Sequence, residues 1–197
     1  GLARYNRASR LIQTLGCTEG SVVVRIEPAN TNHFAEVLAW LKTEKELGGT
    51  GFYCNRNVIE KSFASGEGLC AIAEGKVIGF AVFQMFTDGG DVHIIEVEPS
   101  ARGQGLGSQL LLAAVEPLRG LGAKYVHVEC TSAEGEALCR RHGFETYVDP
   151  RNYRSECDNP LLRHYLSEWR PRPPNPWAYC SLTLRSLGCE VIPRKTI

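Results

Sequence analysis

The sequence predicts a mixed α/β domain in which hairpin-linked strands come first and a strand–helix–strand–helix unit follows. Three observations carry that expectation. Apolar, β-branched runs flank a short glycine turn at Glu74-Gly75-Lys76. A second glycine-rich turn, Arg102–Gly107, stands between a strand pattern and a helix pattern. A further strand-to-helix passage spans Lys124–Arg141. With 197 residues, the chain fits one medium domain able to bury a core.

Residues 1–20 are Arg-rich and polar and read as an N-terminal extension, with a short helix expected around Ala8–Leu15. Ser21–Ile26 is β-branched and is expected to form the first strand. Asn32 is expected to cap a helix running to about Leu47, with Phe34, Val37, Leu38 and Leu41 at helical spacing and Gly48-Gly49 closing it. A second helix is expected over Asn57–Ser65. Leu69–Ala73 and Val77–Phe86 then form a hairpin, Thr87–Gly90 reverses the chain, and Asp91–Val97 is the next strand.

The helix after the glycine turn is expected from Leu106 to about Glu116, with Leu110, Leu111 and Ala114 on one face. Pro117 removes a backbone donor and clashes one turn back, so the helix is expected to kink or end there. Lys124–Cys130 reads as a strand, Thr131 or Ser132 as the cap of a helix over Glu134–Arg141 stopped by Gly143, and Phe144–Val148 as another strand. From Asp149 to Pro176 the composition is irregular and Pro-rich, with one helix expected at Leu161–Trp169. Trp177–Leu184 alternates like a last strand.

Charge excludes little but orders the possibilities. Lysine plus arginine equal aspartate plus glutamate, so no global field points to nucleic acid or to an anionic membrane. Residues 21–148 carry 11 basic and 16 acidic side chains, a net −5 that suits either a cationic amine or a solvated mixed surface. None of the eight cysteines forms a C-x-x-C pair, so no zinc site is supported and no metal is expected. Several lie in apolar stretches, such as Leu69-Cys70-Ala71, and read as reduced, which places the protein in the cytoplasm. No stretch has the apolar length of a membrane span, and no signal-like start is evident.

The turn Pro99–Gly107 carries the chemistry. Gly105 and Gly107 remove β-carbons that would keep a diphosphate from the backbone, and the N–H groups opening the next helix face the anion. Arg102 at the rim adds a charge-assisted contact or projects into solvent. A P-loop would need Gly-Lys-Ser/Thr, which does not follow these glycines. A dinucleotide fingerprint counted from Gly103 would end on Ser108, with Glu129 as its ribose ligand, yet the turn lies mid-chain and behind Pro99.

The pattern Arg-x-x-Gly-x-Gly after Val97-Glu98-Pro99, with Gly143-Phe144 downstream, resembles the GNAT N-acetyltransferase superfamily over about residues 22–148, plus Tyr179–Leu184 as a final strand. The resemblance implies a mixed, mostly antiparallel sheet with a central splay, flanked by four to five helices. Residues 21–148 would form the acetyl-CoA-binding catalytic core, and residues 149–197 a long loop with a helix, final strand and tail completing the same domain. The co-substrate would be acetyl-CoA, held by Arg102, Gly103, Gln104, Gly105, Leu106 and Gly107 with the adjoining Ser108, while pantetheine pairs with main chain near Val97. Ser132 stands where family members often place Asn, and Cys139 where they often place an acidic Tyr, four residues before the Gly of Gly-Phe.

A base is the remaining requirement, for which Asp91, His93, Glu96 and Glu98 on the preceding strand are candidates. Asp91 matches a glutamate of some relatives, and Glu96 falls nearer the splay. His127 reads as a packed sheet residue. Tyr153, Trp169, Trp177, Arg151, Arg154, Arg163, Arg170 and Arg172 line an acceptor pocket, make a homodimer contact or lie in a solvated loop. The implied activity is transfer of acetyl to a primary amine of a small molecule or a protein, by direct attack in a ternary complex. The alternative is a CoA-binding sensor without turnover. Neither a membrane nor a nucleic-acid partner is called for.

Overall fold

The computed structural model describes residues 11–14 as backbone, and residues 23–47, 52–147 and 159–167 in full. Eight strands and four α-helices fall among these residues: β1 Leu11–Thr14, β2 Val23–Pro28, α1 Thr31–Glu46, α2 Arg56–Ser65, β3 Gly68–Ala73, β4 Lys76–Met85, β5 Gly90–Val97, α3 Leu106–Gly120, β6 Tyr125–Glu129, α4 Ala133–Arg141, β7 Glu145–Thr146 and β8 Leu161–Tyr165. The class is mixed α/β. Every ladder with a resolved register is antiparallel except the parallel pairing of β5 with β6. Two compact units divide the chain, residues 1–83 with 94–117 and residues 84–93 with 118–197.

In the first unit the strands follow the order β1-β2-β3-β4-β5. Glu74 and Gly75 both have positive φ, 50° and 79°, which is the backbone of a tight hairpin turn whose twist matches β3 and β4. Asn30 rather than Asn32 caps α1: its side chain accepts from the Asn32 N–H, and His33 closes the capping box. Val37 and Leu41 from α1, with Ile59 and Phe63 from α2, pack on Cys70, Phe80, Val82 and Ile94. Phe80 is fully buried, edge-on to Phe63 at 5.9 Å.

The helix expected around Ala8–Leu15 is corrected. Leu11–Thr14 is a strand, paired residue for residue with Ile26–Val23 of β2. Those long-range backbone hydrogen bonds outweigh a weak local preference in a segment too short to hold a helix alone.

In the second unit the order is β5-β6-β8-β7, and β5 pairs with β6 at Gly90↔Val126 and Asp91↔His127. Pro117 does not end α3, which continues to Gly120. Leu118, fully buried, holds the last turn, and it packs so closely on Gly90 that a β-carbon there would lie 2.6 Å from Leu118 Cδ2. Ser132 caps α4, its hydroxyl accepting from the Gly135 N–H at 3.0 Å. The expected strand at Phe144–Val148 is confined to Glu145–Thr146 among the described residues.

The helix expected at Leu161–Trp169 is a second correction. Leu161–Tyr165 is β8, pairing along its whole length with Glu129–Tyr125 of β6. The paired leucines fit a helix face as well as a strand, and only the exposed hydrogen-bonding edge of β6 decides between them. The strand expected at Trp177–Leu184, together with Gly48, Gly49, Tyr153, Trp169, Trp177, Arg151, Arg154, Arg170 and Arg172, lies outside the described residues. Among the described residues no helix is long and apolar enough to cross a membrane.

Candidate functional site

At its C-terminal end β5 leads through a 3-10 turn, Pro99–Ala101, into the glycine turn. Gly103 and Gly105 both sit at φ +79°, and a β-carbon on either would meet nothing within 4 Å. Glycine is therefore required by the left-handed backbone, and the space beyond it is open. The first backbone bond of α3 runs from the Gln109 N–H to the Gly105 carbonyl at 3.2 Å. The N–H groups of Leu106, Gly107 and Ser108 thus have no partner inside the helix, and they open toward an exposed turn at the positive end of the dipole. Gln104 is exposed; Leu106 is buried, so it contributes its N–H and not its side chain. These features fit an anionic diphosphate.

The end of β5 is unusual in who holds its main chain. The Val97 N–H donates to Glu96 Oε1 at 3.3 Å, and the Val97 carbonyl accepts from Arg102 Nε at 2.9 Å. Both backbone groups are thus satisfied by side chains, which a ligand can displace. The Arg102 guanidinium, with 46% of its side chain exposed, is pinned by carboxylates: its Nη2 donates to Glu44 Oε1 at 2.6 Å and to Glu96 Oε1 at 3.0 Å. Glu44 comes from α1, 58 residues before Arg102, and its second oxygen is buried without a hydrogen-bond partner.

Two carboxylates around one guanidinium leave an excess of negative charge. Burial and then the Glu44 charge push the Glu96 carboxyl up to about 7, against the opposing pull of Arg102 and of the Val97 N–H. Glu98, the neighbouring candidate, accepts from the Ser100 hydroxyl at 3.0 Å.

The other predicted residues belong to the second unit. Asp91 is buried, with its Oδ2 3.7 Å from His93 Nδ1, and burial lowers His93 to about 4, so that imidazole is neutral. Cys139 faces inward from α4; a hydrogen bond with the Cys130 thiol lowers its pKa, against burial and the nearby Glu136. Ser132 is exposed and engaged as the α4 cap. Glu129 accepts from the Asn159 side chain at 3.0 Å.

Arg163 is neither in a loop nor solvated. It is buried on β8, donates from Nε to His127 Nε2 at 2.5 Å, and stacks with its guanidinium carbon 3.6 Å from the Tyr147 ring centroid. Burial, and then the Arg163 charge, hold His127 neutral as a packed sheet residue.

The structure therefore brings Glu96, Val97 and Arg102–Ser108 together in one unit and adds Glu44, which sequence reasoning missed. Glu44 stands in the charged run Lys42–Glu46, where nothing local distinguishes it from a solvated face. Among the described residues no group of three or more His, Cys, Asp or Glu side chains is arranged to hold a metal ion.

Residues 34–144 match the model of the acetyltransferase (GNAT) family. The chain belongs to that family. Among the relatives of this GNAT chain is the [ribosomal protein bS18]-alanine N-acetyltransferase of Escherichia coli, 33% identical over 101 residues that make up 48% of this chain and 68% of the relative. The mycothiol acetyltransferase of Saccharomonospora viridis is 36% identical over 94 residues, 42% of this chain and 31% of that one. Among solved structures, an N-acetylglutamate synthase from Neisseria gonorrhoeae complexed with coenzyme A and N-acetyl-glutamate superposes with a TM-score of 0.59 and 23% identity, over 74% of this chain and 35% of the other. The GNAT chain thus corresponds to about a third of the length of two of these proteins.

Proposed function

We propose that this GNAT chain moves an acetyl group from acetyl-CoA to a primary amine by direct attack, with Glu96 as the general base. One observation carries the proposal. A single compact unit holds both the glycine turn, with its unpartnered helix N–H groups, and a carboxyl raised to about 7 and 3.0 Å from the turn's own arginine. Both relatives named above are acetyltransferases by name, and the superposed synthase is complexed with coenzyme A.

When bound, acetyl-CoA supplies the acetyl thioester. Leu106, Gly107 and Ser108 hold its diphosphate through their N–H groups. The main-chain groups of Val97 exchange their side-chain partners for pantetheine, and the same backbone polarises the thioester carbonyl, typically worth about 3 kcal/mol. An amine of pKa about 10 costs roughly 4 kcal/mol to deprotonate at pH 7. Glu96 lowers that cost by receiving the proton as the nitrogen bonds to the carbonyl carbon, the carbon–sulfur bond breaks and CoA departs as its thiolate. A thiolate leaves well unaided, so the replacement of the family's tyrosine by Cys139 is compatible with turnover.

The acceptor is a primary amine of a small molecule or of a protein. The E. coli relative is named for an alanine of ribosomal protein bS18, so a peptide with N-terminal alanine belongs in the first panel beside polyamines and amino acids. Cys54, Cys70, Cys130 and Cys139 are all thiols, which suits the reducing cytoplasm in which we place the protein. The test is release of CoA thiol from acetyl-CoA in the presence of each amine. Acetyl-CoA binding without thiol release across the panel would replace this reading with that of a CoA sensor.

A further inference from the structure

The Glu44–Arg102–Glu96 cluster has a chemical mismatch. Arg102 Nη2 stands 2.6 Å and 3.0 Å from the two carboxylates, yet the second Glu44 oxygen is buried with no partner, although the Glu44 side chain is only 10% exposed. The planar guanidinium is engaged through Nε with the Val97 carbonyl, and none of its donors is bonded to that oxygen. An ammonium, with three donors on one atom, matches the set better: one donor for Glu96 and two for Glu44. Arg102 also belongs by its backbone to the turn that would receive a diphosphate, the anion that guanidinium pairs with best.

We infer that Arg102 is a placeholder, holding the cation position between Glu44 and Glu96 until a CoA diphosphate draws it away, whereupon the acceptor's amine takes that position. The inference rests on the acetyl-transfer reading above and adds Glu44 as a residue that binds the acceptor. It also couples the two substrates, because the donor must bind before the acceptor's site opens. The groups facing Glu96 are Glu44 from α1, Arg102 from the turn and the Val97 N–H. Of these, Arg102 and the Val97 N–H favour the ionised form, and Glu44 opposes it. Withdrawal of Arg102 therefore makes Glu96 take up a proton.

Calorimetric titration with CoA at pH ~7.5, in two buffers of different ionisation enthalpy, measures that uptake directly. Wild type should take up about half a proton more per CoA than Glu96→Gln, and Arg102→Gln should show the same deficit. Equal proton counts in wild type and both variants would overturn the placeholder role while leaving the CoA site intact. Failure of the wild type to bind CoA would instead overturn the reading of the glycine turn. At saturating CoA, butylamine, which offers little beyond its ammonium, should bind at least ~5-fold more weakly to Glu44→Gln than to wild type. Equal affinities, or no butylamine binding by wild type, would overturn the assignment of Glu44.

Discussion

Glu96 is set by two neighbours that pull in opposite directions. Burial and Glu44 raise its carboxyl to about 7; Arg102 and the Val97 N–H hold it from rising further. A base works in its ionised form, so kcat/KM for the amine should climb with pH and then level off. Because CoA withdraws the Arg102 charge that holds Glu96 down, this limb should lie above 7. Glu96→Gln should lower kcat/KM by about 100-fold and remove that limb. Glu44→Gln removes the like charge, so the limb should move to lower pH. Asp91→Asn should leave it in place, because the Asp91 carboxyl belongs to the separate buried pair with His93. A pH profile of kcat/KM for the four proteins tests the whole set.

The glycine turn acts as an element, through backbone conformation more than through side chains. Gly105 at φ +79° has nothing within 4 Å of a would-be β-carbon, so Gly105→Val carries only the backbone strain. That strain is about 1–2 kcal/mol, too little to unfold most domains. Its branched side chain would, however, fill the approach to the N–H groups of Leu106, Gly107 and Ser108. CoA affinity should fall by at least ~100-fold while the thermal transition moves only a few degrees. Titration with CoA beside a melting curve decides the matter, and unchanged affinity would remove CoA from this turn. The strand β8 shows the reverse dependence: its place comes from β6, whose five residues it pairs in full.

Over the whole molecule, charge is balanced, with a sequence pI near 7.1. Such a protein lacks the self-repulsion that keeps molecules apart, so its solubility should pass through a minimum close to neutrality and rise toward pH ~8.5. A precipitation series across pH checks this.

How much of this was legible in the sequence follows from the range of each interaction. The hairpin at Glu74-Gly75, the helix after Gly105, the α4 cap at Ser132 and the stop at Gly143 each depend on residues within one turn of each other, and their signals are local. The same holds for the turn that marks the family. Leu11–Thr14 and Leu161–Tyr165 look helical by local pattern because what makes them strands is a partner outside the segment, on β2 and on the more remote β6. Of the two outcomes the sequence allows at Pro117, a kink or an end, the end is excluded by tertiary packing: buried Leu118, against Gly90, holds the last turn of α3. At the site, the sequence alone determined the glycine turn that we propose binds the donor, since φ > 0 at Gly103 and Gly105 and an open helix N-terminus need nothing remote. Only the tertiary structure brought Glu44 from α1 onto Arg102 and Glu96. The charge state of a carboxyl is decided by what folding places around it, and no local pattern records that.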